Sequence, residues 1–102
     1  MTRILIVDDN PAVRRYLRAI LEQQEAWKVC AEARTGAEAL HQVLEATPDL
    51  VVLDYQMPDL NGVDVARQIA EMFPKLPILM VTLHLSTQLS EAAREAGVRG
   101  AC

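Results

Sequence analysis

Apolar and polar positions along this chain follow two alternating patterns. Short, largely apolar runs that contain β-branched side chains are typical of strands buried on both faces. Between them, apolar residues recur every three or four positions, as on one face of an amphipathic helix. The predicted strands are Ile4–Val7, Trp27–Ala31, Leu50–Leu53, Ile78–Val81 and Val98–Cys102.

Capping residues, prolines and glycines indicate where the helical segments begin and end. They predict a helix after Asn10-Pro11, one from Thr35 to Pro48, one from about Gly62 after Asn61, and one from Ser86 or Thr87 to Gly97. The apolar stripes of the first three, expected to face a core, are Val13, Leu17, Ile20 and Leu21; Ala39, Leu40, Val43 and Leu44; and Val65, Ile69 and Met72.

Strand and helix alternate from end to end with short connections. This order is typical of an α/β protein in which helices cover both faces of a parallel sheet. Lys28 makes the second strand less apolar than the others, as is common for a strand at a sheet edge. With 102 residues, 51% of them hydrophobic, the chain is long enough for one domain with a packed core, or for part of one.

Three aspartates follow two of the most apolar runs. Asp8 and Asp9 come directly after Ile4–Val7, and Asp54 comes directly after Leu50–Leu53. If these parallel strands are neighbours, the three carboxylates emerge at the carboxyl edge of the sheet, where such folds bind ligands. Thr82, which follows Ile78–Val81, would bring a hydroxyl group to the same edge.

Carboxylates held this close repel one another, and at least one pKa rises unless a cation compensates them. Oxygen ligands without a neighbouring His or Cys favour Mg²⁺, which keeps several waters and shares its remaining positions with phosphate oxygens. An alternative is that Asp8 or Asp9 caps the next helix and Asp54 lies in a loop. The grouping of three acids at two strand ends favours the metal site.

Charge and composition exclude several functions. The formal net charge is -4, and no stretch gathers Lys and Arg into a stripe, so direct nucleic-acid binding by this segment is not expected. Arg14, Arg15 and Arg18 are interpreted as the solvated face of the first helix. Two cysteines give no disulfide framework, and no signal peptide or membrane-length apolar run occurs, which predicts a soluble cytoplasmic protein without a membrane partner.

The motifs in their order and spacing point to a family. They are an apolar run ending in Asp8-Asp9, then Asp54 with Met57-Pro58 and Gly62, then Val81-Thr82 before a helix that closes at Ala96-Gly97. Over the whole chain this pattern resembles the phosphoacceptor receiver domain of two-component response regulators. The resemblance implies a flavodoxin-like sheet of five parallel strands in the order 2-1-3-4-5, and a phosphorelay protein that is not an enzyme in its own right.

The resemblance also implies a role for each site residue. Asp54 would accept a phosphoryl group from a sensor histidine kinase. Asp9 and Asp54 would bind Mg²⁺ directly, Asp8 would act mostly through a bound water, and Gln56 would contribute its backbone carbonyl. Thr82 would donate its hydroxyl to a phosphoryl oxygen, and its movement would switch the surface around the fourth strand and the following helix.

Other positions modify this expectation. Gln56 and His84 match positions that in this family modulate how water reaches the acyl phosphate, although a surface role is the simpler interpretation of either.

The family has a Lys at the end of the fifth strand, and this chain stops at Cys102, short of that Lys and of the final helix. We therefore expect a receiver domain over residues 1–102, truncated within or just after its fifth strand. Ala101 stands where the family often has a Tyr or Phe, so switching cannot depend on an aromatic rotamer there.

The output of such a switch would be a further domain or a partner. Val29–Ala33 and Ala96–Gly100 look most like regulators that carry a helix-turn-helix DNA-binding domain, which would lie beyond Cys102 and control transcription. A homodimer is a further expectation.

Three other function classes fit the sequence less well. A Mg²⁺-dependent phosphohydrolase with an aspartyl-phosphate intermediate commonly needs an acid two residues after its nucleophile, where this chain has Gln56. A scaffold with a vestigial site is disfavoured because Asp8, Asp9, Asp54 and Thr82 are all present. A flavin-binding domain would need a Ser/Thr/Gly-rich phosphate loop after the first strand, where the acids of Asp-Asp-Asn-Pro would repel a phosphate.

Overall fold

The computed structural model describes residues 1–54, 61–81, 94–97 and 100–101. The strands in this part of the chain are β1 (Thr2–Val7), β2 (Trp27–Ala33), β3 (Leu50–Asp54), β4 (Ile78–Val81) and β5 (Gly100–Ala101). The helices are α1 (Pro11–Leu21), α2 (Gly36–Ala46) and α3 (Gly62–Met72). No helix of the described residues is long and apolar enough to cross a membrane. The helix start predicted at Ser86 or Thr87 lies outside the described residues.

One parallel sheet holds all of these strands, in the order β2-β1-β3-β4-β5. The predicted fold class and strand order are therefore confirmed, with β2 at an edge. The chain first builds from β1 to β2 and then crosses to β3 on the other side of β1, so the strand order reverses between β1 and β3. Val7 pairs with Leu53 in the register of these two strands. The residues that come next, Asp8 and Asp54, therefore emerge side by side at the switch point.

The two central strands are buried on both faces. Ile4, Leu5 and Ile6 of β1 have no exposed surface, and Val7 has 1%. Successive side chains point to opposite faces of a sheet. Leu5 and Val7 accordingly pack in a cluster with residues of α2 and α3, whereas Ile4 and Ile6 pack in a second cluster with residues of α1. This explains why the run shows no polar alternation in the sequence.

The three predicted helix starts within the described residues are confirmed by side-chain capping bonds. Asn10 Oδ1 accepts hydrogen bonds from the N–H groups of Ala12 and Val13. Thr35 Oγ1 accepts one from the Glu38 N–H, and Asn61 Oδ1 accepts one from the Asp64 N–H. Each bond satisfies a donor that has no partner within its helix, so the polar residues fix where the helices start.

Some residues of the predicted apolar stripes do not face the core. Ile20, Leu44 and Met72 are 42%, 57% and 41% exposed. Leu44 follows the buried Val43 by one position, about 100° around the helix, and is turned toward solvent. Met72 is the last residue of α3, three positions after the buried Ile69, and lines an open hollow instead. The stripes that face the core are thus narrower than the sequence pattern predicts.

Gly97, the predicted helix end, has a φ of +105° that side chains rarely adopt. A Cβ atom built at this position would lie 2.7 Å from Ala70 Cβ in α3. We expect Gly97→Ala to lower the free energy of unfolding by about 2–4 kcal/mol, because backbone strain and overpacking add. Urea denaturation measures the free energy of unfolding of the parent, Gly97→Ala, Ala70→Gly and the double variant. If the effects of the two single substitutions simply add in the double variant, the side chains at positions 70 and 97 are not in contact.

Candidate metal centre

Three carboxylates meet at the carboxyl edge of the sheet, as the sequence predicts. Asp8 and Asp9 follow β1, and Asp54 is the last residue of β3. Each offers one oxygen atom, and these three oxygens lie within 4.8 Å of one another. This spacing would allow all three groups to surround a single cation.

Asp8 is the buried member of the group, with 7% of its surface exposed, and it is held from three sides. Its N–H donates to the carbonyl oxygen of Ala33 at the end of β2, at 3.0 Å. Its Oδ1 accepts a hydrogen bond from the Asn10 N–H at 2.9 Å. Its own carbonyl oxygen accepts one from Nη1 of Arg14 at 2.7 Å. The loop between β1 and α1 is thereby fixed to β2 and to α1.

The pKa of Asp8 is raised above the ordinary aspartate value of 3.8. Burial is the main cause, and the neighbouring Asp9 carboxylate adds to it through charge repulsion and a side-chain hydrogen bond. The Asn10 N–H and the Arg14 guanidinium act in the opposite direction without cancelling the effect. The protein without a metal therefore holds a carboxylate whose charge is only partly compensated.

Asp9 is exposed and Asp54 is half-buried, so the cluster opens to solvent on one side. A cation could reach this side without displacing any part of the sheet. The donors are all carboxylate oxygens, which suits a hard divalent ion that keeps part of its water shell. The residues present thus fit Mg²⁺, which the carboxylates of Asp8, Asp9 and Asp54 would hold.

The remaining predicted site residues belong to segments that the structure does not describe. Gln56, Thr82 and His84 lie outside the described residues, and so do Met57 and Pro58. Their roles therefore stay predictions. The strand before Thr82 does reach the site, because Val81 pairs in register with Asp54.

An arginine on α1 was missed as part of the site. Arg14 belongs to the group interpreted as a solvated helix face, yet its side chain is only 13% exposed. Besides the Asp8 carbonyl it contacts Glu32 of β2, and Arg18 contacts the other oxygen of the same carboxylate. The interpretation was therefore wrong for Arg14 and incomplete for Arg18, which is 44% exposed. A Glu near the end of an edge strand is the one sequence signal that could have suggested the pairing.

An apolar hollow of about 530 Å³ lies at the other edge of the sheet. The segments before the amino ends of β3 and β4 line it, together with Val43 of α2 and Met72 of α3. It shares no residue with the carboxylate group. We therefore assign the chemistry to the acidic edge, where reactive groups converge, rather than to this apolar hollow.

Neutralising Asp8 is expected to stabilise the protein in the absence of a metal. A raised folded-state pKa means that the stability contributed by Asp8 is fully present below pH 3.8 and is lost as the pH rises through that pKa. In EDTA at pH 7, Asp8→Asn should therefore melt at a higher temperature than the parent, because the substitution removes the charge that burial disfavours. The Asn oxygen can still accept from the Asn10 N–H.

Thermal melts from pH 3 to pH 8 check this expectation. The difference in Tm should vanish at the acid end, and Mg²⁺ should raise the Tm of the parent more than that of Asp8→Asn. A parent that is the more stable of the two at pH 7 in EDTA would contradict the described environment of Asp8.

Comparison with known proteins places this site in a family. The model of the response regulator receiver domain matches residues 4–101. The chain is 38% identical over 99 residues to a protein-glutamate methylesterase/protein-glutamine glutaminase of Pyrococcus abyssi, covering 97% of this chain and 26% of that protein. It is 37% identical over 100 residues to the transcriptional regulatory protein LnrK of Bacillus subtilis, covering 98% of this chain and 46% of that protein.

A solved structure agrees with these matches. The crystal structure of a LuxR-family two-component response regulator from an Aurantimonas species superimposes with a TM-score of 0.95 at 36% identity. The alignment covers 99% of this chain and 72% of the other. The chain spans less than half the length of either curated relative. Since the family model covers nearly the whole chain and the acidic edge has the expected geometry, this chain belongs to the response regulator receiver domain family.

Proposed function

We propose that Asp54 is the phosphoacceptor of this receiver domain, and that a sensor histidine kinase is the donor. The observation that carries the proposal is that carboxylate oxygens of Asp8, Asp9 and Asp54 lie within 4.8 Å of one another at the ends of the central strands. Membership of the receiver domain family favours Asp54 as the acceptor, and this residue ends β3 at the centre of the sheet and is half-buried. Asp8, by contrast, is buried, with 7% of its surface exposed.

The transfer is a direct displacement at phosphorus. One carboxylate oxygen of Asp54 attacks the phosphorus of a phosphohistidine on the kinase. A new O–P bond forms as the N–P bond breaks, and the electron pair of that bond returns to the imidazole nitrogen. The departing imidazole takes up one proton from solvent, so the products are an acyl phosphate on Asp54 and an unmodified histidine on the kinase.

The acidic residues would hold Mg²⁺ during this step. Asp9 and Asp54 are proposed as direct ligands, with the backbone carbonyl of Gln56 as a further one and Asp8 acting through a bound water. When bound, Mg²⁺ supplies charge neutralisation between the carboxylate and the phosphoryl oxygens. Burial and the hydrogen bond from Asn10 hold Asp8 in place, so it can accept from a water at a fixed position.

Three residues outside the described part of the chain complete the proposal. Thr82 would donate its hydroxyl to a phosphoryl oxygen and, by moving, would change the surface formed by β4 and the helix after it. Gln56 and His84 would influence how fast water hydrolyses the acyl phosphate. Such self-catalysed gain and loss of a phosphoryl group is the full extent of the catalysis that we propose for this domain.

The output we propose is control of transcription, in the cytoplasm, through a domain or partner beyond this segment. LnrK is a transcriptional regulatory protein and the Aurantimonas structure is of a LuxR-family response regulator, which supports an output in transcription. A DNA-binding domain and a homodimer are further parts of the proposal. The Pyrococcus abyssi relative favours a second candidate, a receiver that controls a methylesterase. A Mg²⁺-dependent phosphohydrolase remains the alternative in another class.

Intact-mass spectrometry tests the central proposal. Incubation with Mg²⁺ and a small acyl-phosphate donor should add one phosphoryl group to the protein, and EDTA should prevent the addition. The product should lose the group in hydroxylamine, as an acyl phosphate does and a phosphoserine does not. Continuous release of phosphate at a rate of many turnovers per minute, with no phosphoprotein detected, would favour the phosphohydrolase instead.

A further inference from the structure

Arg14 joins three elements at one end of the sheet. Its Nη1 donates to the carbonyl oxygen of Asp8 at 2.7 Å, and its Nε donates to Oε1 of Glu32 at 2.9 Å. Arg14 itself lies one turn into α1, with its N–H bonded to the carbonyl oxygen of the capping Asn10. One guanidinium group therefore links the first turn of α1, the end of β1 and the end of β2.

The guanidinium is held in a fixed orientation. Glu32 Oε2 accepts from Nη2 of Arg18 at 2.8 Å, so Arg14 and Arg18 each form an ion pair with one oxygen of the same carboxylate. Glu32 itself is placed by the register of the sheet, where it pairs with Ile6 of β1. The planar fork of an arginine can serve a carboxylate and a carbonyl at once, which the single point charge of a lysine cannot do in the same way.

The contact with the Asp8 carbonyl bears directly on Asp9. The carbonyl of Asp8 and the N–H of Asp9 belong to one rigid planar peptide unit. The N–H of Asp8 is fixed by the carbonyl of Ala33, so the Asp8 backbone is held on both sides. Rotation of the peptide between Asp8 and Asp9 would break the bond to Arg14. That bond therefore fixes the position of the Asp9 Cα atom, from which the Asp9 side chain leaves the backbone.

We infer that Arg14 is a positioning residue, which orients the Asp8–Asp9 peptide so that both carboxylates can meet Asp54 around one cation. Glu32 supports this role by orienting the guanidinium group. The inference rests on the proposed Mg²⁺-dependent function of the acidic site. It assigns to Arg14 no contact with the metal or the phosphoryl group.

Charge and geometry predict opposite effects when Arg14 is replaced. By charge alone, removing a cation beside three carboxylates should make Mg²⁺ bind more tightly. By geometry, losing an outer partner that orients a ligand should weaken metal binding by about 10-fold. The sign of the change therefore separates a positioning role from a purely electrostatic one.

The experiment has a metal-free part and a metal-binding part. In EDTA, the carbonyl ¹³C resonance of Asp8 should shift in Arg14→Met, because it loses a charge-assisted hydrogen bond. Calorimetric titration should give a Kd for Mg²⁺ about 10-fold higher in Arg14→Met, with Arg14→Lys between this variant and the parent. Arg15→Met, which removes an exposed arginine one position along the same helix, should leave both the resonance and the Kd unchanged.

Each outcome supports or contradicts the inference. A Kd in Arg14→Met that equals or falls below that of the parent would overturn it, and if that variant does not fold, the same Kd comparison for Arg14→Lys decides. An unshifted Asp8 carbonyl would show that the hydrogen bond is absent. A parent protein that binds no Mg²⁺ would contradict the proposed function itself, whereas Mg²⁺ binding that is insensitive to Arg14 would contradict only the role of Arg14.

Discussion

Asp54→Asn is expected to abolish phosphorylation by a small acyl-phosphate donor, reducing the incorporated phosphoryl group by at least about 100-fold. An amide oxygen is a far weaker nucleophile than a carboxylate, and the neutral side chain also removes one of the charges that would hold the cation. The change preserves size and leaves the buried strand β3 intact, so folding should be retained. Intact-mass spectrometry of the variant and the parent measures the loss.

A matched control lies at the other end of the same strand. Asp49 directly precedes β3, and its Oδ2 accepts a hydrogen bond from the Arg3 N–H at 2.8 Å, which an asparagine oxygen can also do. Asp49→Asn should therefore be phosphorylated like the parent. Undiminished labelling of Asp54→Asn would show that another residue is the acceptor.

Asp9→Ala is expected to weaken Mg²⁺ binding by more than about 100-fold, and Asp8→Ala by about 10-fold. The structure supports this order because Asp9 is exposed at the open side of the cluster. Asp8 is buried, and its Oδ1 already accepts a hydrogen bond from the Asn10 N–H. A direct ligand should contribute more than a group that acts through water.

Calorimetric titration of the two variants with Mg²⁺ gives the comparison. Circular dichroism should first show that both are folded, since Asp8→Ala also removes the acceptor for the Asn10 N–H. The reverse order of affinities would mean that Asp8 is the direct ligand and that Asp9 acts through water.

Much of this architecture could be predicted because local signals and the fold agree. The uninterrupted apolar run of β1 is fully buried, since helices cover both faces of the sheet. Asn10, Thr35 and Asn61 bond the first turns of their helices, an interaction that spans only two or three residues and therefore shows in the sequence. The position of Asp8 beside Asp54 also follows from local information, once the two strands are known to be neighbours.

The contacts that were missed are those made across elements. Arg14 looks like any charged residue on an amphipathic helix, and nothing within one turn of it shows that Glu32, on another element, will pair with it. Leu44 is as apolar as the core residue Val43, and only the orientation of α2 on the sheet turns it outward. Such details depend on how whole elements pack, which the periodicity of a single helix does not specify.

The most direct test of the phosphoacceptor assignment is to locate the phosphoryl group on the chain. Borohydride reduces an aspartyl phosphate to homoserine, which peptide mass spectrometry then identifies by position. After phosphorylation in Mg²⁺, we predict homoserine at Asp54 and unmodified aspartate at Asp8, Asp9 and Asp49. Homoserine at any of these other positions, or a phosphoryl group on a residue that borohydride leaves unchanged, would contradict the account.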